Sequence, residues 1–188
     1  MPLYFMIFLG TLVAALLLYL GATAQAVFMR RSASAFIPER AMVWLQAAGL
    51  ALLWFNVGVA WLLFFNVYRI HIDMSAVGDA ALQAFSRGYT RRLPIVVLPF
   101  GAACLTWTLA LWGKSVRISR WAVWAIATLC VVSILSTPWA AFAQDDMQDH
   151  GYTEAAYRQL QTFHLVRTIA LTIAAVWALA ERRQLPLR

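Results

Sequence analysis

The chain reads as an all-α, polytopic membrane protein: a bundle of five transmembrane helices with a short amphipathic helix at the membrane surface. Three observations predict this. Of 188 residues, 63% are hydrophobic and only 12% charged, against about 25% charged in soluble domains. The mean hydropathy is +0.71. The apolar residues fall into five long runs, each near the ~20 residues that cross a hydrocarbon core about 30 Å thick. These runs are continuous rather than alternating, so helices, which satisfy their own backbone hydrogen bonds, fit better than barrel strands.

The first run, about 3–20, carries no charge. Ala22-Thr23-Ala24 has the small side chains of a cleavage site, but no positively charged segment precedes the run, so an uncleaved first span is expected. The following connection holds Ser32-Ala33-Ser34 and Pro38, a composition that stops a helix. The second span covers about 42–67. Beyond it Val77, Ala81, Phe85 and Tyr89 recur every four residues, with Asp79, Arg87 and Arg91 elsewhere on the wheel, which predicts the amphipathic surface helix. Pro94 and Pro99 open the third span, about 93–113, where proline is tolerated in the first turn. The fourth, about 121–142, is followed by an acidic stretch of Asp145, Asp146, Asp149 and His150. Thr153 is placed to cap a helix with Glu154 in its first turn. That helix reads through Arg158, His164 and Arg167 to Glu181, with the fifth span at about 163–180. No repeat interrupts the chain, so 1–188 is one membrane domain.

The aromatic residues fit this plan. Trp44, Trp112, Trp121 and Trp139 fall near span ends, where amphipathic rings favour the interface. Trp54, Trp61, Trp107 and Trp124 fall deeper and are expected to pack between helices. Cys104 and Cys130 lie mid-span and read as small buried hydrophobes, able to pair only if their helices face each other there.

The net charge of +7 forms neither patch nor stripe, so nucleic acid is not an expected partner. The charge reports orientation instead. Arg30, Arg31 and Arg40 follow the first span, Lys114, Arg117 and Arg120 the third, and Arg182, Arg183 and Arg188 the fifth. The stretch after the fourth span is acidic apart from Arg158. The positive-inside rule then predicts a multi-pass protein of the bacterial inner membrane, N-terminus outside and C-terminus cytoplasmic. Arg69, Arg87, Arg91 and Arg92 run against the rule, because that order puts them outside. The expected partners are the lipid bilayer and other membrane proteins or further copies of the chain.

On this topology His71, His150 and His164 all lie at or near the outer surface, with Asp73, Asp79, Asp145, Asp146, Asp149 and Glu154. Asp146, Asp149 and His150 share a helical face, and with His71 they form a candidate zinc or copper site on the periplasmic side. The plainer reading is a hydrated acidic loop. His71 and Asp73 share a face only in an extended segment. A haem between helices needs a histidine from each of two spans. None lies deep in a span, which disfavours an intramembrane bis-histidine haem and leaves only His164 with His71 or His150.

The more specific feature is Arg167 with His164 and Thr168, spaced i, i+3 and i+4 on one side of the last helix. A guanidinium inside a membrane segment costs roughly 2.5–3.5 kcal/mol on insertion scales, so it normally has a partner. One expectation is an ion pair to Asp145 or Asp146 that pins the acidic loop. The other is an anchor for an anion or polar ligand in a cavity lined by Asn56, Gln46, Thr106, Thr108 and Thr137, each of which serves equally as interhelical glue. Gly58 and Ala60 are small enough to let helices approach closely. No nucleophile–base arrangement, phosphate loop or zinc-protease motif is present.

Ser136-Thr137, then Gly151-Tyr152, Leu160, Thr162 and His164, then Arg167-Thr168 together resemble the anthrone-oxygenase-like family of small bacterial membrane proteins. Ala84-Phe85, Arg91-Arg92 and Pro99 are similar to that family's loop and following helix. The resemblance covers about 55–180 and implies a four-helix core to which the first helix is an addition. The chain departs from the family where a Pro-Leu-His-like triplet is Ala143-Gln144-Asp145, where an acid after proline is Gly101-Ala102-Ala103, and where Asn-Trp is Phe163-His164. The resemblance therefore implies fold and location more than oxygenase activity.

Taken together, the residues predict an accessory or ligand-binding membrane subunit with a polar site at the outer end of the bundle. The alternative is a membrane oxidoreductase acting on a lipophilic aromatic or quinone-like substrate, with or without a metal. A transporter is disfavoured, since neither a broken-helix pair nor an inverted repeat is visible.

Overall fold

The computed structural model describes residues 3–28, 36–115 and 118–183. Arg30, Arg31, Arg117 and Arg188, counted above in the charge bias, lie outside the described residues, as do the Ser32-Ala33-Ser34 turn and the side chains of Arg182 and Arg183. The chain is an all-α bundle, as the apolar runs predict. Helix α1 spans Leu3–Phe28 and α2 spans Glu39–Leu62. A π-helical turn, Leu63–Val67, carries α2 into α3, Tyr68–Val77. Then come α4 (Asp79–Arg92), α5 (Pro94–Leu109, closed by a 3-10 turn), α6 (Arg120–His150) and α7 (Glu154–Arg183). Five of these helical segments are long and apolar enough to cross a membrane.

The helices outrun the spans read from hydropathy. A span is read to end where apolar residues stop, whereas a helix ends where its backbone bonds do. The 31-residue α6 winds on through the acidic stretch until Gly151, whose φ of 91° L-residues rarely adopt. The expected acidic loop is therefore the last two turns of a helix. Residues 151–153 turn the chain, and Thr153 Oγ1 accepts from the Ala156 amide at 3.1 Å, the cap that the sequence predicts. At ~1.5 Å per residue both helices exceed a 30 Å core. At their other end the Ser119 amide donates to Glu181 Oε2 at 3.1 Å, fixing the antiparallel register.

Helix α4 is the predicted amphipathic helix, but its inner face is Leu82 and Ser86, with Phe85 and Tyr89 half-buried beside them, while Val77 precedes it and is exposed. It rests on protein, packing against α3 and α6. Gln83 Nε2 donates to the Asp149 carbonyl at 3.4 Å, and Tyr4 of α1 donates to the Thr90 carbonyl at 3.3 Å.

The core forms two clusters. The larger joins α1, α2, α5, α6 and α7 through Phe8, Leu53, Trp107, Ile126 and Leu171; the smaller gathers Leu63, Tyr68, Met147 and Leu160 at the α3–α4 end. Trp44, Trp121 and Trp139 are exposed as expected near span ends, and Trp107 is fully buried. Trp54 departs from the expectation: it turns outward from α2. Helices α5 and α6 do face each other at the cysteines, where the Cys104 thiol donates to the Cys130 carbonyl at 3.8 Å and both thiols are free.

Candidate functional site

His164 is the hub of the α3–α4 end. Its position on α7 turns it inward, and it is 1% exposed. Its Nε2 lies 2.9 Å from the Ala60 carbonyl of α2. A carbonyl only accepts, so Nε2 carries the hydrogen, and Nδ1 is left to accept from the Tyr68 hydroxyl at 3.2 Å. The Phe64 ring lies parallel to the imidazole with centroids 6.4 Å apart, and Tyr68 meets it edge-on at 4.7 Å. Ala60 and Tyr68 flank the π turn, in which the Tyr68 amide bonds to the Leu63 carbonyl five residues back. Such wide turns recur at functional sites. Thr168 stands beside His164 as predicted, but its hydroxyl donates to the His164 carbonyl at 2.8 Å and serves the helix.

Arg167 does not meet the acids. Phe163 stacks on Trp139 at 5.7 Å, and Gln159 donates to the Trp139 carbonyl at 3.0 Å. With that register Arg167 stands level with the turn near Leu135, ~15 Å along the helix from Asp145. The expected ion pair to Asp145 or Asp146 is absent among the described residues. Asp146 instead pairs with His150 at 3.0 Å, and Asp145 is exposed. The guanidinium carbon lies 5.4 Å from the centroid of the Phe100 ring, and Nε is buried with no hydrogen-bond partner. Beside it is a cavity of about 20 Å³ lined by Asn56, His164, Arg167, Phe100 and Leu171 among others. That is room for one water or one small polar group. Asn56 spends one amide hydrogen on the Leu52 carbonyl at 2.7 Å, leaving the second free.

Three of the four predicted ligand residues, Asn56, His164 and Arg167, thus line one cavity. The other polar residues expected to line it are engaged elsewhere. Gln46 donates to Ser115 Oγ at 2.9 Å. Thr106, Thr108 and Thr137 each donate to a carbonyl one turn back in their own helix. Gly58 faces open space rather than another helix.

The candidate metal ligands do not converge. Asp146 and His150 pair on exposed surface, Asp149 is exposed on the same helix, and His71 is fully buried elsewhere; no three of His, Cys, Asp and Glu gather among the described residues. Both nitrogens of His164 are engaged, so neither faces an open axial position for a haem. His71 and Asp73 sit in helical α3, where i, i+2 side chains diverge.

His71 lies against the ring edges of Phe85 at 5.0 Å, Tyr68 at 5.9 Å and Tyr89 at 6.4 Å, with the Val67 and Tyr68 carbonyls one turn back as the polar groups beside it, neither within full hydrogen-bond geometry. Burial, with Tyr68 second, raises the Tyr89 hydroxyl well above its ordinary value, keeping it a neutral donor. On the far side of Phe85 and Tyr89 a cleft of about 440 Å³ opens between α3 and α4, with Val67 and Ile70 on one wall and Arg92 at the other. Sequence reasoning missed Tyr68, Phe100 and this cleft, and read Ala60 only as a small residue for close helix approach, not as the carbonyl that His164 meets. The spacing of Phe64, Tyr68 and His71 at i, i+4 and i+7 was a legible signal of one aromatic face. No family model, curated protein or solved structure matches the chain.

Proposed function

We propose that this is a ligand-binding or accessory subunit of the bacterial inner membrane, which holds the polar end of a small lipophilic molecule at Arg167. One observation carries the reading: a half-buried guanidinium sits near the middle of the last helix with no acidic partner among the described residues, beside a cavity it shares with Asn56 and His164. Among the described residues the contact that offsets its cost in the membrane is the Phe100 ring, of order 0.5–2 kcal/mol. A carboxylate, carbonyl or phenolate oxygen seated in that cavity supplies the missing acceptor. The charge pattern supports an N-terminus outside and a C-terminus in the cytoplasm.

Organic extraction of the detergent-purified protein followed by mass spectrometry tests the reading. Wild type is expected to release an oxygen-bearing lipophile that Arg167→Met, still folded by circular dichroism, does not retain. Identical extracts from the two proteins would overturn it. Orientation is read separately from a fluorescent protein fused to the C-terminus, which becomes fluorescent only on the cytoplasmic side.

A second reading, an oxidoreductase acting on an aromatic or quinone-like substrate as in the anthrone-oxygenase-like family, is favoured by the Tyr68–His164 pair. A phenol donating to a buried imidazole next to a cavity is a proton-transfer arrangement. Metal analysis and a visible spectrum of the purified protein test its metal- or flavin-dependent form, and a colourless, metal-free sample argues against that form.

A further inference from the structure

The arginines that break the charge rule mark a second site. Arg69, Arg87, Arg91 and Arg92 are all exposed, and none makes an ion pair among the described residues. The acids at the same end of the bundle do not bridge to them: Asp145 and Asp149 are exposed beside α4 and make no ion pair among the described residues. Asp146 pairs with His150 and Glu154 with Arg158. Asp73 stands one turn from Arg69 without bridging to it, and Asp79 opens α4, ~20 Å of helix from Arg92. Arg91 and Arg92 close α4 just before Pro94 opens a helix long and apolar enough to cross a membrane, with Arg87 one turn earlier on α4 and Arg69 near the start of α3.

The cleft between α3 and α4 lies at this level. Its walls are Val67 and Ile70 on one side and the stacked rings of Phe85 and Tyr89, 6.4 Å apart, on the other, with Arg92 among its lining residues. Ile95, 74% exposed, follows Arg92 three residues further into the membrane. The volume of about 440 Å³ falls within the range of small-ligand sites. The lining is apolar with one cationic end, which matches an amphiphile with an acyl chain and a negative headgroup.

We propose that the α3–α4 cleft binds an anionic phospholipid, its phosphate at Arg92 and one acyl chain against Val67, Ile70 and Phe85. Arg91 and Arg69 add to the positive field around the headgroup. The site is separate from the Arg167 cavity and is the same whichever side of the bilayer it faces. It also gives the misplaced arginines a role: lipid phosphates, not protein carboxylates, balance them.

The test uses full-length protein in detergent and two probes with identical acyl chains, phosphatidylglycerol and phosphatidylcholine, with retained lipid counted by native mass spectrometry. Wild type is expected to retain phosphatidylglycerol about 5-fold or more over phosphatidylcholine, the preference that one or more arginines confer near a headgroup. Arg92→Gln is expected to reduce that ratio towards one, and Arg92→Lys to keep most of it. Gly88→Leu places a side chain in the cleft from a position where a Cβ meets nothing within 4 Å, so it should fold normally and lose both lipids. Equal retention of the two lipids by wild type, or a preference unchanged in both Arg92→Gln and Gly88→Leu, would overturn the assignment. Displacement of bound lipid by an uncharged isoprenoid quinone at equal concentration would also overturn it, by showing an apolar site indifferent to the phosphate.

Discussion

Tyr68 and His164 meet across the buried α3–α4 end of the bundle with 3.2 Å between the phenol oxygen and Nδ1, while the opposite nitrogen of the same imidazole is held 2.9 Å from the Ala60 carbonyl. One ring thus ties the last helix to both sides of the π turn. The contact joins α7 to the α2–α3 rod, so it fixes the site's geometry as well as its chemistry.

Removing the phenol hydrogen should therefore be costly. Tyr68→Phe leaves a buried imidazole nitrogen without a donor and is expected to destabilise the protein by ~1–3 kcal/mol. His164→Phe removes the same bond from the other side and leaves the Ala60 carbonyl only its Leu63 amide donor, so it should cost about as much. The double variant should cost less than the sum of the two single variants, since each removes the same bond. Strict additivity in thermal or denaturant melts would show that the bond contributes nothing.

Arg167 should behave as a functional rather than a structural cation. Because it lies over Phe100 and makes no ion pair among the described residues, Arg167→Met is expected to melt at or above the wild-type temperature. Asp145→Asn and Asp146→Asn should each change stability by less than ~0.5 kcal/mol, as exposed substitutions do. A drop of several degrees in Arg167→Met, matched by Asp145→Asn, would instead reveal an ion pair.

His71 offers an apolar test. It is fully buried among aromatic edges and meets only the Val67 and Tyr68 carbonyls one turn back, neither in full hydrogen-bond geometry, so His71→Phe replaces a poorly satisfied polar ring with a ring of similar shape. Relief of the desolvation cost should raise stability by ~1–2 kcal/mol. Destabilisation of the same size would mean that His71 has a hydrogen-bonding partner in the membrane-embedded protein.

Two glycines on α2 should respond with opposite signs. A Cβ on Gly49 would stand 2.9 Å from Nε1 of the buried Trp107, and Gly49→Ala is expected to cost ~1–3 kcal/mol through overpacking. Gly58 has nothing within 4 Å, so Gly58→Ala should gain up to ~1 kcal/mol of helix propensity. Melting curves of the two variants on either side of wild type are the expected result.

The five spans were legible because the bilayer demands about 20 apolar residues and the chain supplies them in unbroken runs. Thr153 was legible as a cap because its hydroxyl acts within one turn. What lay beyond reach was register between helices. Nothing in the order of residues says that Phe163 stacks on Trp139, and that contact decides that Arg167 stands far from Asp145. Likewise, His164, Arg167 and Thr168 share a side of α7 as their spacing requires, yet only packing shows that His164 is clasped by Ala60 and Tyr68 and that Arg167 faces Phe100. The four-residue stripe of α4 was correct in period, and its Phe85 and Tyr89 do lie on the packed side against His71, but what that side meets was not legible. It foretold a helix bound to lipid, where Leu82 and Ser86 bury it on α3 and α6.

The widened winding at Leu63–Val67 accommodates one residue more than regular helix would over the same stretch. The surplus is absorbed locally, so the rod on either side keeps its azimuth. Excising one residue inside the stretch would let the coil close into regular helix with Tyr68 and His71 still facing as they do, whereas the same excision one turn before it would swing both around the axis by ~100°. A one-codon deletion upstream of the stretch would thus dismantle this end of the bundle without removing any of the side chains that build it, and the same deletion within it would not.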